Sequence, residues 1–229
     1  PLSTCQSLTL KIVSFKGCRS TVAGGSVYIK ASIPLYASDV NFIDSYTSKN
    51  CGGISCIASH IEFQYGCFCR CSSNSPYSTN GSNNYYFAGR LDTTSKTQSV
   101  NVKECTVYLC PSSYSSGDNT FSMRVGRNTA SFLNLTNNQP KIEVLGIKGP
   151  VGFGPKYLTI TENNPGELIN SFLTGNPIFE YCNLLNNNKR SSTSPLVKGE
   201  ETMTLRYGVI AGNTATKLST KKVTFYNVY

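Results

Sequence analysis

The chain has 229 residues, of which 39% are hydrophobic, so it can build a core without relying on its ten cysteines. Charged residues make up only 14%, against roughly 25% in ordinary soluble domains. The net charge of +9 is spread along the chain, with basic pairs only at Lys189-Arg190 and Lys221-Lys222, which disfavours nucleic-acid binding. No apolar run approaches the roughly 20 residues of a membrane-spanning segment. This composition suits an extracellular coat, fibre or adhesion surface, with anionic glycans as a further class of partner.

Apolar residues alternate with polar ones along much of the chain, which predicts β-strands. The apolar faces of the first three strands are Leu8, Leu10 and Ile12; then Val27, Ile29, Ala31, Ile33 and Leu35; then Ile57, Ile61, Phe63 and Tyr65 together with Ser59. His60 and Glu62 share the opposite face of the third strand. Later strands are predicted at 100–109, 121–125, 141–147, 156–161, 178–185, 202–210 and 221–229. Many short strands separated by polar turns predict an all-β fold, a disulfide-rich β-sandwich or two of them.

One short helix is predicted near 165–173. Asn164 is placed to cap it, and Pro165 suits its first position. Its apolar stripe consists of Leu168, Ile169, Phe172 and Leu173. We expect this helix to pack on the end of a sandwich.

The only change in composition falls near residues 111–119, and no internal repeat is evident. We therefore expect a cysteine-rich β domain at 1–110 and a β-sandwich domain at 111–229. The two are either separate or fused into one unit.

Ten cysteines is an even number, typical of an exported protein with paired thiols. The predicted disulfide cysteines are Cys5, Cys18, Cys51, Cys56, Cys67, Cys69, Cys71, Cys105, Cys110 and Cys182. Cys67, Cys69 and Cys71 alternate with other residues, so an extended backbone points three sulfurs to one face and favours partners elsewhere. Cys182 lies far beyond the other nine. It either bridges back to the N-terminal half, stays free or bonds another chain.

Neither metal nor cofactor binding is predicted, because the chain has no C-x₂-C pair and a single histidine. That histidine, His60, would have to serve in any serine or cysteine hydrolase scheme, with Glu62 available to orient it. No nucleophile elbow, phosphate loop or H-E-x-x-H motif accompanies it. We interpret both residues as the wet face of a strand, and we expect a non-catalytic protein in which His60 is dispensable.

The segment "LVKGEETMTLRYGVIAGNTATKLSTKKVTFYNVY" resembles the end of a bacterial chaperone-usher pilin or pilin-like adhesin domain. It has a strand at 203–209, a connection of small residues at 211–216 and a closing alternating strand at 223–229 that ends on an aromatic residue. The resemblance implies an incomplete immunoglobulin-like sandwich that takes a strand from a neighbouring subunit. Val223, Phe225 and Tyr229 would then belong to the assembly strand. The chain would be a filament subunit or adhesin that binds by strand pairing and surface contacts.

A second reading is the ectodomain of a viral or eukaryotic surface glycoprotein that mediates attachment or entry. It accounts for the density of cysteines and for two sequons, Asn80-Gly81-Ser82 and Asn134-Leu135-Thr136, as candidate glycosylation sites. Both readings place the protein outside the cell, or on a cell or virion surface.

Overall fold

The chain forms a β-solenoid in which every pair of described strands is parallel. The computed structural model describes residues 5–73, 88–110, 119–140, 142–149, 154–188, 193–199 and 201–229. The all-β class is as predicted, but the immunoglobulin-like sandwich is wrong. A sandwich pairs antiparallel strands, whereas here each strand lies beside its counterpart one turn later, as Leu133 lies beside Leu158.

Twenty-one strands are present in the described residues, many of them short. In chain order they are β1 (Leu8–Lys16), β2 (Arg19–Ser20), β3 (Val27–Lys30), β4 (Leu35–Ile43), β5 (Tyr46–Thr47), β6 (Ile54–Ala58), β7 (Ile61–Gln64), β8 (Cys67–Cys69), β9 (Ser72–Ser73), β10 (Gly89–Thr93), β11 (Ser99–Tyr108), β12 (Asn119–Arg124), β13 (Arg127–Thr136), β14 (Glu143–Gly149), β15 (Lys156–Thr161), β16 (Glu167–Leu173), β17 (Ile178–Glu180), β18 (Asn183–Leu185), β19 (Val197–Gly199), β20 (Met203–Ala211) and β21 (Val223–Val228). The later predicted strands all overlap observed ones.

The strands form two long sheets that face each other across the core, and one short sheet. Sheet 1 runs from β1 through β4, β7, β11, β13, β15, β17 and β20, with β8, β18 and β21 also paired in it. Sheet 2 has the order β19, β16, β14, β12, β10, β6 and β3, and sheet 3 contains β2, β5 and β9. Both long sheets continue across residues 111–118, because β10 pairs with β12 and β11 pairs with β13.

Each turn of sheet 1 contains a residue with left-handed backbone that interrupts the alternation. These bulge residues are Ile12, Asp39, Tyr65, Glu104, Phe132, Tyr157, Tyr181, Tyr207 and Asn227. The bulge points its own side chain outward, and inward positions resume at the next residue. Ile12 is therefore 77% exposed, contrary to its predicted place beside Leu8 and Leu10, while Val13 packs against the core.

A second left-handed residue ends each strand of sheet 1 and is followed by a residue that turns inward. We call those inward residues the inner turn column. Its members are Cys18, Ser45, Cys71, Cys110, Asn138, Asn163, Asn187 and Asn213, and they follow Gly17, Asp44, Arg70, Leu109, Asn137, Glu162, Asn186 and Gly212. The core lies between sheet 1 and sheet 2, and this column borders it. It includes an aromatic stack of Phe15, Phe42 and Phe68, with ring centroids 5.4 and 4.9 Å apart.

The helix predicted at 165–173 is instead strand β16, which lies between β14 and β19. Leu168, Ile169 and Leu173 are all buried. Leu168 and Ile169 are adjacent and both buried, so β16 is covered on both faces, and a short run of this kind matches a helical stripe as well as a strand. Pairing with β14 and β19 in the neighbouring turns makes this segment a strand rather than a helix.

Two of the predicted early strands are each divided between the two sheets. The strand predicted over 27–35 consists of β3 in sheet 2 and β4 in sheet 1, and the one predicted over 57–65 consists of β6 and β7. Each division is a corner of the solenoid, where the chain passes from one sheet to the other. Apolar and polar residues continue to alternate across the corner, so the corner is not visible in the sequence.

All ten cysteines are free thiols, so the predicted disulfide framework is wrong. On β8, Phe68 is buried and its neighbours Cys67 and Cys69 are only partly exposed on the outer side. Cys71 turns inward after the left-handed Arg70, so the three sulfurs do not share a face. Cys182 lies in the core, where its thiol donates to the carbonyl oxygen of Pro155 at 3.6 Å. The buried thiols act as small apolar side chains; they are Cys51, Cys56, Cys71, Cys105, Cys110 and Cys182.

Candidate functional site

The predicted assembly strand is the last strand of sheet 1. β21 pairs with β20 on one side, and no described strand pairs with its other edge. Val223 and Phe225 lie in register with the buried Met203 and Leu205, so they face the core side. Asn227 has a left-handed backbone, which brings Val228 rather than Tyr229 to that side. Phe225 is 46% exposed and Tyr229 is 83% exposed.

The core side of β21 opens into a cavity of about 420 Å³ that has both polar and apolar lining residues. Its lining includes Leu196, Ile210, Ala215, Leu218, Phe225 and Val228. The cavity continues the interior of the solenoid beyond its last complete turn.

The opposite end of sheet 1 has the same character. β1 pairs with β4 on one side only within the described residues. Its core-side residues are Leu8, Leu10, Val13 and Phe15, all partly buried. Both ends of the sheet therefore present an unpaired parallel edge with apolar side chains behind it.

The side of the solenoid carries a polar cluster around His60. The Nδ1 atom of His60 lies 2.8 Å from Ser99 Oγ, and Nε2 lies 2.9 Å from Glu62 Oε1. Asn101 donates to the same Glu62 oxygen at 2.8 Å, and Thr129 donates to Asn101 Oδ1 at 2.6 Å. Successive turns supply these residues, because Glu62, Asn101 and Thr129 are neighbours in register.

The sequence correctly predicts that His60 and Glu62 share the outer face, but it misses Ser99 and Asn101. The alternation in "SVNV" places both outside, yet nothing local indicates that they meet a residue 39 positions earlier. The same face holds a groove of about 610 Å³, which we call the Tyr36 groove. Its side-chain lining includes Thr9, Lys11, Tyr36, His60, Glu62 and Gln64.

An exposed column of stacked aromatic rings lies further along sheet 1. Phe132, Tyr157, Tyr181 and Tyr207 follow one another at the bulge position. Their centroids are 4.5, 4.7 and 5.2 Å apart, and the first two pairs are nearly parallel. Because each inner ring is covered by its neighbours, the column offers edges and hydroxyl groups to solvent rather than ring faces.

The candidate glycosylation sites differ in what the structure describes. Asn134 is exposed on β13, between Thr106 of β11 and Thr159 of β15. It therefore lies on the outer face of a strand rather than in a turn. Asn80 lies outside the described residues.

The buried thiols are poor nucleophiles. Burial raises the pKa of Cys51, Cys56, Cys105 and Cys182 to about 12, so these groups are protonated at neutral pH. In the described part of the chain, no three His, Cys, Asp or Glu side chains converge as metal ligands. The same residues include no helix with the length and hydropathy needed to cross a membrane.

Comparison of the chain with protein-family models, with curated proteins and with solved structures finds no match. The functional conclusions therefore depend on the geometry of the described residues.

Proposed function

We propose that the chain is a non-catalytic surface or filament subunit, and that copies associate head to tail through parallel pairing of β21 with β1 of the next copy. The observation that carries the proposal is the matching pattern of these two edges. Unpaired N–H and C=O groups along an edge strand favour pairing with another strand. Apolar residues behind the edge add a hydrophobic contribution when they are covered.

The two strands match position by position when their bulges, Ile12 and Asn227, are aligned. Leu8 then lies beside Val223, and Leu10 beside Phe225. After the bulge, Val13 lies beside Val228, just as the inward residues of neighbouring strands lie side by side throughout sheet 1. Strand β1 of the next copy thus stacks on β21 in the same way as each turn stacks on the turn before it.

The outer side of this joint is compatible with the same alignment. Lys11 would lie beside Tyr226, whose ring already accepts Arg206 with the guanidinium carbon 5.5 Å from the ring centroid. A second cation on the other face of the ring is a favourable cation–π arrangement. Because the joint uses different surfaces on the two copies and continues the stacking of the turns, we expect it to repeat as an open filament rather than to close into a ring.

The test is light scattering of the purified 229-residue protein over a range of concentrations, with electron microscopy of the same samples. We expect a mass that grows with concentration, and unbranched filaments. Phe225→Lys places a charge on the core side of the joint and should stop growth. Thr224→Lys is the control, because Thr224 is adjacent, faces outward beside Thr204 and would meet only the uncharged Thr9 of the next copy. It should leave filaments intact.

Mixing two variants, each blocked at one edge, tests the pairing of β21 with β1 more directly. Phe225→Lys retains a sound β1 edge, and Leu10→Lys retains a sound β21 edge. Each alone should be monomeric, and an equimolar mixture should stop at one-to-one dimers. A monomeric unmodified protein at its highest soluble concentration would refute the proposal, as would growth that Phe225→Lys does not reduce. Circular dichroism of both variants checks that they remain folded.

The surface-glycoprotein reading is the second candidate, and the exposure of Asn134 favours it. A glycan on this outward side chain would project from sheet 1 without entering the core. Glycopeptide mass spectrometry of protein from its native source should then find Asn134 occupied. Both candidates are compatible with a location outside the cell or on a cell or virion surface, which we propose on the low charge content.

A further inference from the structure

We infer that the Tyr36 groove binds an acidic saccharide. This inference goes beyond assembly and does not rest on it: the groove lies on the outer face of sheet 1, although Thr9 and Lys11 of β1 also border the proposed joint. Its volume of about 610 Å³ falls within the range of roughly 300–1,000 Å³ that small-ligand sites occupy. The groove is lined mainly by hydrogen-bonding side chains, with one exposed aromatic ring.

Tyr36 differs from the tyrosines of the stacked column in what covers its ring. Its neighbours in register are Thr9 on one side and Glu62 on the other, and it is 43% exposed. Neither neighbour is aromatic, and a threonine is too small to cover a phenol ring. The Tyr36 and His60 rings meet edge to face, with their centroids 6.0 Å apart. The face above Thr9 thus remains available to the C–H face of a sugar ring, as an apolar surface with a polar edge.

The polar groups of the groove are held in place from behind. Ser99 and Asn101 bond His60 and Glu62 from the next turn, on the side away from the groove. Among the described residues, nothing hydrogen-bonds Glu62 Oε2, so this oxygen can accept from a hydroxyl group. Side chains fixed before binding lose less conformational entropy when a ligand arrives. Ser99 and Asn101 are therefore positioning residues.

The charge of the groove favours an acidic saccharide over a neutral one. Lys11 forms no ion pair with any described residue, whereas Lys103 on the same outer row pairs with Glu104 at 3.1 Å. Glu62 already accepts hydrogen bonds from Asn101 and His60, which reduces its repulsion of an anion. A carboxylate on the sugar can then approach Lys11 while its hydroxyl groups meet Glu62 and Gln64.

The test uses the assembly-blocked Phe225→Lys protein, so that failure of binding and failure of assembly are distinguished. The probes are a tetrasaccharide of alternating glucuronate and N-acetylglucosamine, and a neutral glucose tetrasaccharide of the same length, both measured by calorimetry. We expect the acidic probe to bind more tightly than the neutral one. Lys11→Ser should weaken binding of the acidic probe more than binding of the neutral one, and so reduce that preference.

Tyr36→Ala should weaken binding of the acidic probe about tenfold or more. The matched control is Tyr28→Ala, because Tyr28 is also exposed but lies on β3 in sheet 2. His60→Ala should weaken binding with little change in the unfolding midpoint, contrary to the expectation that His60 is dispensable. The inference fails if neither probe binds. It also fails if Tyr36→Ala binds as well as Tyr28→Ala, since attraction would then reflect only the basic net charge.

Discussion

In the C-terminal half of the solenoid the inner turn column consists of four buried or partly buried asparagines, whereas in the N-terminal half the same positions hold three thiols and a hydroxyl group. Asn163 illustrates the first kind. Its amide nitrogen donates to the carbonyl oxygens of Leu135 and Thr161, each at 2.9 Å, and its oxygen accepts the N–H of Asn138 at 2.8 Å. One side chain thus satisfies backbone groups of its own turn and of the turn before.

The thiols make the same contacts more weakly. Cys71 Sγ donates to Phe42 O at 3.3 Å and lies 3.7 Å from Cys69 O. Cys110 repeats this with Phe68 O and Tyr108 O, at 3.6 and 3.5 Å. These acceptors occupy the same positions in their turns as the acceptors of Asn163. A thiol is a weak donor and a weak acceptor, so each contact contributes less than its amide counterpart.

The core beside the inner turn column also differs between the halves, but here the N-terminal half has the larger side chains. Next to the thiols the core contains the stack of Phe15, Phe42 and Phe68, whereas next to the asparagines the matching positions hold Leu135, Ile160 and Leu184. Aromatic side chains bury more apolar area than aliphatic ones. The N-terminal half therefore depends more on apolar burial and the C-terminal half more on hydrogen bonds. One turn geometry is stabilised in two ways.

The largest expected difference between the two halves is in their stability at alkaline pH. Burial raises the pKa of Cys51, Cys56 and Cys105 from 9.0 to about 12, and the pKa of Cys110 well above 9.0. Above pH 9 the unfolded chain loses thiol protons that the folded chain retains, so the free energy of unfolding falls. The contribution is complete below pH 9 and disappears as pH approaches 12. The loss is about 1.4 kcal/mol per buried thiol for each pH unit in this window.

The C-terminal half has only Cys182 as a comparable group, so the N-terminal half should open first. Pulsed alkylation at pH 10, read by peptide mass spectrometry, should label Cys56 and Cys105 before Cys182. Urea unfolding at pH 8 and pH 10 should give a smaller pH dependence for Cys105→Ala than for the unmodified chain. Simultaneous labelling of all buried thiols would contradict a difference between the halves.

The second test removes one amide from the C-terminal half. Asn163→Ala leaves the buried N–H of Asn138 and the carbonyl of Leu135 without their partner. Each unsatisfied buried group costs about 1–3 kcal/mol, so we expect a loss of about 3 kcal/mol in the free energy of unfolding. Urea denaturation followed by circular dichroism measures it.

Asn41→Ala is the control for this substitution. Asn41 also donates from its side chain, to Ser14 Oγ at 3.3 Å, but it lies on the outer face of the N-terminal half. Its loss should cost no more than about 0.5 kcal/mol. Equal effects of the two substitutions would mean that the asparagine column contributes nothing special.

The same contrast explains what the sequence predicts about the fold. Alternation locates most strands, but it cannot distinguish a parallel neighbour one turn away from an antiparallel one beside it. The solenoid period is visible only in the C-terminal half. There Asn138, Asn163, Asn187 and Asn213 are 24 to 26 residues apart, and each follows an aromatic residue of the stacked column by six positions.

In the N-terminal half the inner turn column mixes cysteine and serine, and 39 residues separate Cys71 from Cys110, so no period is apparent. An even count of cysteines then favours disulfides, although these thiols occupy separate positions in a stacked core. For the groove, alternation identifies His60 and Glu62 as outward neighbours. Their partners Ser99 and Asn101 come from the next turn, and only the pairing of β7 with β11 brings them close.

The smallest effect is expected from converting one half into the other, by Cys110→Asn. Cys110 is the last thiol before Asn138, and its backbone N–H already donates to Asn138 Oδ1 at 2.9 Å. An asparagine there can donate to Phe68 O, which the thiol now contacts, and can accept the N–H of Cys71 that faces the Cys110 sulfur. Because these bonds replace weaker ones, we expect unfolding free energy within about 1 kcal/mol of the unmodified protein. Cys110→Ala should lose about 1–2 kcal/mol.

The matched control for this conversion is Cys105→Asn. Cys105 is equally buried and also follows a left-handed residue, but it belongs to the bulge rather than to the turn. Its sulfur contacts Lys103 O at 3.2 Å and only distantly Phe63 O at 3.9 Å, and it lies against Gly66, where space is short. The backbone N–H of Gly66 also faces this sulfur, so an amide here would have a donor, but the larger side chain has to fit where space is short, and overpacking a core position costs about 1–3 kcal/mol. If urea midpoints instead fall equally for both asparagine variants, the turn has no particular capacity for an amide, and the thiol and asparagine halves are not interchangeable forms of one structure.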